Sequence, residues 1–163
     1  MDTVDKLTRS RIMSAVGQRD TGAEMLLRSA LHRIGLRFAL HDRSLPGTPD
    51  LVLPRFSCVV FVHGCSWHSH GCYRSTVPES RRKFWIDKFH ANRLRDHRTV
   101  KSLLDAGWRV LTVWECALRG KTAQPPVMVA KTVKEWLESA DRIGEIPLKQ
   151  SYGPISISGE GEL

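Results

Sequence analysis

One stretch of eight residues, CSWHSHGC, holds two thiols and two imidazoles. Cys65, His70 and Cys72 place three nitrogen or sulfur ligands close together, and Cys116 lies far downstream at the end of an apolar run. Three cysteines and one histidine are a common tetrahedral zinc set, and four protein ligands leave no open position for water. The spacing therefore predicts a structural zinc site. His68 is the other candidate for the histidine ligand, and a metal-free set of reduced thiols is the alternative.

A second set of groups suits a hard cation. Asp50 begins a short apolar run, and the next apolar run ends at Val62 and His63. If both runs are buried strands, a carboxylate, a backbone carbonyl and an imidazole meet at one edge of a sheet. Mg²⁺ prefers oxygen ligands and keeps several waters, so a catalytic magnesium site is one interpretation. The alternatives are a turn role for Asp50 and a hydrogen-bonded strand-end role for His63.

Three further titratable side chains could assist a hydrolysis. Imidazole titrates near neutral pH, so His68, if it does not bind zinc, could be the general base that activates water. Glu24 completes a Ser/Thr-x-x-Glu pattern that is typical of a helix capping box, and it could equally lie near Asp50 and hold a metal-bound water. Asp96 follows Asn92 by one helical turn, and charge balancing within a basic helix is its alternative role.

Positive charge is concentrated in one segment. The formal net charge is +8, and residues 74–101 carry nine Lys or Arg against three acids. The aromatic residues Phe84, Trp85 and Phe89 lie within the same segment. Such a block suits a phosphate backbone together with stacked or wedged rings. A solvated helix face with its apolar side in the core has the same pattern.

The amino-acid composition is that of a globular protein and not of a membrane protein. Hydrophobic residues make up 41% of the chain and charged residues 26%, which is typical of a globular protein. No apolar run approaches the roughly 18 residues that a membrane-spanning helix needs, and the N-terminus has no apolar core of a signal peptide. We therefore expect a cytosolic protein without a membrane partner, in which cysteines serve metal or core roles rather than disulfides.

The hydrophobic pattern predicts the elements that would position these residues. Helices are expected over residues 23–34, 79–106 (with a break near Ala91 as an option) and 127–137, and strands over 37–41, 50–53, 58–62 and 108–114. Residues 1–20 are predicted to be a polar arm, 21–140 the globular domain and 141–163 a loosely held tail. Intermixed strands and helices indicate an α/β layered domain. Cys58, within an apolar run, is predicted to be a core thiol.

Ordered motifs between Asp5 and Arg119 resemble those of the very short patch repair (Vsr) endonucleases, which nick DNA at T:G mismatches left by deamination of 5-methylcytosine. The matching stretches lie within residues 5–13, 19–24, 44–50, 63–73, 77–85, 92–96 and 107–120. Two positions depart from the family pattern. Ser66 stands where a large aromatic residue is expected, and Val62 stands in place of a Thr.

The resemblance implies a restriction-endonuclease-like fold, with a central mixed sheet flanked by helices and a structural zinc site. It implies that zinc is bound by Cys65, His70, Cys72 and Cys116. It implies that catalytic Mg²⁺ is bound by Asp50 and the backbone carbonyl of Val62. It implies that His68 is the general base and that the water and phosphate are supported by Glu24, His63 and Asp96.

The resemblance also implies how DNA is bound. Trp67 and Trp85 would enter the duplex beside the mismatch, and Met13 on the N-terminal arm would wedge from the minor groove. A mismatch lowers the cost of unstacking, which gives selectivity. Further DNA-binding positions implied by the matching motifs are Lys6, Arg9, Arg19 and Asn92.

The implied activity is a strand-specific nick 5′ to the mismatched thymine, which initiates very short patch repair. The implied partners are double-stranded DNA with a T:G mismatch and the mismatch-repair machinery. We expect a monomer in the bacterial cytoplasm, associated with the nucleoid. The alternatives are a related nuclease with another mismatch or site specificity and a non-catalytic zinc-stabilised DNA-binding module.

Overall fold

The computed structural model describes residues 5–15 and 20–147. The helices are α1 (Lys6–Ala15), α2 (Gly22–Arg33), α3 (Arg82–Asp105) and α4 (Pro126–Glu138). The strands are β1 (Ala39–Leu40), β2 (Leu51–Leu53), β3 (Cys58–His63), β4 (Arg109–Trp114) and β5 (Ile143–Ile146). No helix among the described residues is both long enough and apolar enough to span a membrane.

The five strands form one mixed sheet in the order β1-β2-β3-β4-β5. The two pairs β1–β2 and β2–β3 are antiparallel, whereas β3–β4 and β4–β5 are parallel. In β3, Cys58 and Val60 belong to one buried cluster and Val59 and Phe61 to another, because successive side chains point to opposite faces. The predicted α/β class is therefore confirmed, and Cys58 is a fully buried core thiol as expected.

Helices cover both faces of the sheet. On one face, α2 contributes Leu27 and Leu31 to the larger core cluster and α4 contributes Val129 and Val133. On the other face, α3 packs through Leu103. The predicted break near Ala91 does not occur, since α3 runs without interruption for 24 residues.

Helix ends follow local sequence signals. The Thr21 hydroxyl accepts a hydrogen bond from the Glu24 N–H at 3.2 Å, which caps the start of α2. Gly35 has φ +92°. Its N–H donates to the carbonyl of His32 at 3.1 Å and that of Leu36 donates to Leu31 at 3.0 Å. This is the pattern of a Schellman motif, which ends the helix and turns the chain toward β1.

Two segments differ from the expected pattern near the ends of the chain. The N-terminal arm contains the helix α1, and the segment after Asp141, predicted to be loosely held, contains β5. The reason for β5 is non-local: the guanidinium of Arg109 donates to the carbonyls of Trp136, Leu137, Ser139 and Asp141 at 2.8–2.9 Å. These bonds hold the connection between α4 and β5 so that β5 pairs with β4. The strand predicted over 37–41 is shorter than expected and comprises only Ala39–Leu40.

Candidate active site and metal centre

The predicted zinc ligands lie together in the structure. One ligand atom from each of Cys65, His70, Cys72 and Cys116 lies within 4.8 Å of every other. The Cys116 Sγ is 3.6 Å from Nδ1 of His70. The four residues form a compact cluster of sulfur and nitrogen donors, here called the Cys/His cluster, and His68 is not part of it.

The parallel pairing of β3 with β4 explains why distant residues meet. His63 is opposite Trp114 in the register, so the loop after β3 and the short 3₁₀ turn Glu115–Ala117 leave the sheet at one edge. The Trp114 ring stacks on His70 with a centroid distance of 4.3 Å. The Ser75 hydroxyl donates to the carbonyl of Cys65 at 3.1 Å, which ties the end of the loop to its start.

The chemistry of the Cys/His cluster fits a soft divalent cation. Burial raises the pKa of the Cys65 thiol above its usual range and raises the pKa of Cys116 to about 11, because a buried thiolate lacks solvation. Burial also acts to raise the pKa of Cys72, but the N–H of Arg74 and neighbouring donors outweigh it and lower that pKa. A cation among these sulfurs would offset the cost of several buried thiolates, and Cys₃His is a set that zinc accepts.

A second cluster lies directly beside the first and contains His63, His68 and Asp96. Nδ1 of His68, on the loop, is 2.5 Å from Oδ2 of Asp96 on α3. The ring of His63, at the end of β3, stacks on that of His68 at a centroid distance of 3.7 Å and an interplanar angle of 6°. The sequence did not reveal that His68 and Asp96 are partners.

The residues of this second cluster differ in their charge at neutral pH. Burial lowers the pKa of His63 to about 3, and the adjacent His68 acts in the same direction, so His63 is neutral at neutral pH. Burial acts to raise the pKa of Asp96, but the hydrogen bond and charge of His68 outweigh it, and the net pKa lies below the usual value. An ionised Asp96 that accepts from Nδ1 leaves Nε2 of His68 as the nitrogen that can take a proton.

Asp50 lies where β2 begins, beside the end of β3. Its Oδ2 accepts a hydrogen bond from the backbone N–H of Val62 at 2.7 Å. Burial, together with the negative charge of Glu24, raises the pKa of Asp50 to about 6, although the hydrogen bond from Val62 acts to lower it. The strand-edge placement predicted for Asp50, Val62 and His63 is confirmed.

Glu24 is almost fully buried, with 1% of its surface exposed. The predicted cap by Thr21 is present, but the second half of the capping box differs: Oε2 of Glu24 accepts from the N–H of Asp20, at 3.0 Å. Its other oxygen, Oε1, has no hydrogen-bond partner of suitable geometry among the described residues. The residue therefore braces the start of α2 and also presents a buried charge close to Asp50.

A single cleft of about 1030 Å³ collects most of the predicted residues. Its walls include Asp50, Val62, His63, Trp67, His68, Trp85, Asn92 and Asp96. Basic side chains also line it, including Lys88, Arg95 and Arg119. The cleft thus combines carboxylates, imidazoles and positive charge.

Aromatic rings form one wall of the cleft. The rings of Trp67 and Trp85 meet edge to face at 5.9 Å, and Phe89 lies 6.2 Å from Trp67. Nζ of Lys88 is 5.5 Å from the Trp67 ring. The side chain of Asn92 donates to the carbonyl of Trp67 at 2.9 Å, so Asn92 attaches the loop to α3.

The other residues predicted to bind DNA either do not line the cleft or have side chains that the structure does not describe. Lys6 is an exposed residue of α1. Arg9 and Met13 fall within α1, but their side chains lie outside the described part of the chain, as does the whole of Arg19. Ser66, at the position of the expected aromatic ring, donates its hydroxyl to the carbonyl of Arg74 at 2.5 Å.

Sequence reasoning missed His41. Its Nε2 is 3.0 Å from Oε1 of Glu24, and its Nδ1 is 3.9 Å from Oδ1 of Asp50. No motif or periodicity marks this residue, because it follows the short strand β1 and reaches both carboxylates only through the fold.

Comparison with known proteins shows the family of this chain. A family model described as DNA mismatch endonuclease Vsr matches residues 1–74. The chain is 46% identical over 136 residues to the DNA mismatch endonuclease Vsr of Escherichia coli K12, covering 83% of this chain and 87% of that protein. It is 47% identical over 117 residues to the type II nicking enzyme V.XorIIP of Xanthomonas oryzae pv. oryzae, covering 72% of this chain and 86% of that enzyme. It is 37% identical over 113 residues to the type II nicking enzyme V.NmeAIP of Neisseria meningitidis, covering 69% of this chain and 81% of that enzyme. The chain belongs to the DNA mismatch endonuclease Vsr family.

Proposed function

We propose that this chain is a Mg²⁺-dependent, strand-specific DNA endonuclease that nicks 5′ to the thymine of a T:G mismatch and so initiates very short patch repair. The observation that carries the proposal is the pairing of His68 with Asp96 in the cleft that also contains the Asp50 carboxylate. A protein that only bound DNA would have no need of a buried acid and an oriented base around one cleft.

The residues of the cleft fit Mg²⁺ held by Asp50 and the carbonyl of Val62. Oxygen donors are the ligands that this ion prefers. The buried carboxylate of Glu24 lies close enough to the partly buried Asp50 that its negative charge contributes to the raised pKa of Asp50. Bound Mg²⁺ would stabilise the negative charge that develops on the phosphate oxygens. Glu24 would orient a water from behind Asp50.

The chain's own groups account for the proton transfers. A water oxygen attacks phosphorus and its proton passes to Nε2 of His68. The bond from phosphorus to the 3′ oxygen of the preceding nucleotide breaks, and this oxygen takes a proton from solvent, so that the products are a 3′-hydroxyl and a 5′-phosphate. Asp96 fixes the tautomer of His68 through Nδ1 and stabilises the imidazolium that forms. The neutral ring of His63, stacked on His68, holds the imidazole in plane and adds no competing positive charge.

Mismatch selection would come from the aromatic wall. Trp67 and Trp85 would insert beside the mismatch, and Met13 would wedge from the minor groove, while Lys6, Arg9, Arg19 and Asn92 would add DNA contacts or support them. Ser66 leaves the loop one ring smaller than the family pattern, so the two tryptophans would provide most of the stacking. Insertion is cheapest where pairing is already weak, which favours a mismatch.

We propose that the mixed sheet and its flanking helices form a restriction-endonuclease-like fold and that zinc in the Cys/His cluster is structural. We propose a monomer that acts on double-stranded DNA in the bacterial cytoplasm, on the nucleoid, and that passes its product to the mismatch-repair machinery. The division into arm, domain and tail at residues 20 and 140 remains a prediction.

The direct test is a nicking assay on duplexes that differ only at one pair. T:G and matched duplexes, each labelled on one strand, are incubated with and without Mg²⁺. We expect one nick, 5′ to the mismatched thymine, only in the T:G duplex and only with Mg²⁺. Cutting of both duplexes would indicate a nuclease of different specificity, and retention of DNA without cutting would indicate a binding module.

His68→Ala should lower the nicking rate by about 10²-fold or more, because a positioned general base contributes that much. Zinc content and melting temperature should stay close to those of the wild type, since His68 lies outside the Cys/His cluster. His32→Ala, an exposed imidazole on α2, is the matched control and should nick normally. Normal nicking by His68→Ala would rule out the assignment of the base.

Asp50→Asn keeps an oxygen that can accept from the N–H of Val62 but removes the charge that would hold Mg²⁺. We expect nicking to fall by at least about a hundredfold. DNA affinity, measured by fluorescence anisotropy in EDTA, should be unchanged or tighter because a negative charge has left the cleft. An active variant would remove Asp50 from the magnesium site.

Cys72→Ser should release zinc and lower the melting temperature by roughly 10 °C or more, because structural zinc binding contributes directly to folding free energy. Metal content by mass spectrometry and a thermal melt measure the two effects. Cys58→Ala, which removes a buried thiol outside the Cys/His cluster, should retain one zinc per chain. A Cys72→Ser variant that keeps its zinc and its melting curve would contradict the structural role.

A further inference from the structure

Two buried polar atoms face each other behind the cleft. Oε1 of Glu24 and Nε2 of His41 are 3.0 Å apart, yet neither has an aligned hydrogen-bond partner among the described residues. Buried polar groups are nearly always paired, so each such exception asks for an explanation. The two atoms lie within hydrogen-bonding distance, and a small rotation of the imidazole would align them with each other.

His41 is also tied to Asp50. The backbone N–H of His41 donates to the carbonyl of Asp50 at 3.2 Å, and Nδ1 of the ring is 3.9 Å from Oδ1 of the same residue. The opposite oxygen, Oδ2, accepts from the N–H of Val62. The ring of His41 thus lies between the two carboxylates, with one nitrogen toward Glu24 and the other toward Asp50.

The backbone of His41 is adapted to this position. Its φ is +48°, in the left-handed region that few residues other than Gly, Asn, Asp and His adopt readily. This conformation follows β1 immediately and places the ring beside the start of β2. A residue held in this way, with its ring nitrogens 3.0 Å from Glu24 and 3.9 Å from Asp50, is suited to fix the orientation of both carboxylates.

A metal ion does not explain the same contacts. Ligand atoms of Asp20, Glu24 and His41 lie close enough together to hold one. However, Nη1 of Arg28 is 2.6 Å from Oδ1 of Asp20 and 3.6 Å from Oε1 of Glu24. A guanidinium already supplies positive charge at these oxygens and would repel a cation. The donor that completes the group is therefore an imidazole N–H.

We propose that His41 is a positioning residue for the reaction: its Nε2–H donates to Oε1 of Glu24, and its Nδ1 edge confines Oδ1 of Asp50 opposite Val62. In this arrangement both carboxylates of the proposed Mg²⁺ site keep a fixed geometry before DNA arrives. The inference rests on the proposed endonuclease function and adds to it a residue that holds the acids without touching the phosphate.

The test uses two substitutions of His41 that introduce the same amide group on side chains of different length. Asn adopts the left-handed conformation but is too short to place its amide at the position of Nε2, so His41→Asn removes the contact with Glu24. The side chain of Gln is one bond longer than that of Asn and carries the same amide donor, so His41→Gln should restore the contact with Glu24. His32→Asn, on the exposed face of α2, is the matched control.

Three readouts are taken on the full-length, zinc-loaded protein. The first is the T:G nicking rate as a function of Mg²⁺ concentration, the second is Mn²⁺ binding without DNA by electron paramagnetic resonance, and the third is the melting temperature. For His41→Asn we expect about a tenfold or greater loss in metal affinity or maximal nicking rate, as is common when partners of metal ligands are removed. His41→Gln should recover to within about threefold of the wild type.

Several results would overturn the inference. One is His41→Asn with Mn²⁺ affinity and nicking within twofold of the wild type. Another is an activity loss that follows the melting temperature alone, with Mn²⁺ binding unchanged and no recovery in His41→Gln. A wild type that binds Mn²⁺ but never nicks a T:G duplex refutes the proposed function, while the Mn²⁺ comparison still decides the role of His41. A wild type that neither binds Mn²⁺ without DNA nor nicks a T:G duplex with Mg²⁺ refutes both.

Discussion

The parallel pairing of β3 with β4 is the constraint on which the site depends. Because His63 stands opposite Trp114, both strands end at one edge, and the chain segments that follow them must share the same space. The Cys/His cluster uses that proximity to join residues 65–72 to Cys116. Once this loop is fixed, His68 has little freedom, and its hydrogen bond to Asp96 connects the sheet edge to α3. One strand pairing thereby brings the Cys/His cluster and His68 close together.

Differences in burial and in neighbouring charges give chemically similar groups different pKa values. Of two stacked imidazoles, His63 is held neutral by desolvation, whereas His68 is paired with an ionised carboxylate that can stabilise its charged form. Of the acids, Asp96 has a lowered pKa beside an imidazole, while Asp50 has a raised pKa because it is buried near Glu24. A site that combines a poised base with crowded buried acids is suited to phosphate chemistry, in which charge must be moved and neutralised at the same time.

Local spacing predicted more of the site than of its surroundings. Cys65, His70 and Cys72 are near one another in the chain, and the placement of Cys116 after an apolar strand completed the set. By contrast, the contacts of His41 arise from a left-handed residue after a two-residue strand, which leaves no periodic signal. The connection to β5 is held by Arg109 of the neighbouring strand β4, which is more than 25 residues earlier in the chain, so the Gly-containing sequence of β5 itself indicated little order. Sequence reasoning missed features that depend on contacts between distant segments and carry no recognisable motif of their own.

We propose that the Cys/His cluster serves the reaction by positioning His68, which lies on the same loop. A double-mutant cycle on nicking rates, with Cys72→Ser, His68→Ala and the double variant, measures this coupling below the melting temperature of all three proteins. We expect the double variant to nick at nearly the rate of His68→Ala alone, because a misplaced base and an absent base are equivalent. Losses that multiply in the double variant would show that the two sites act independently and would contradict it.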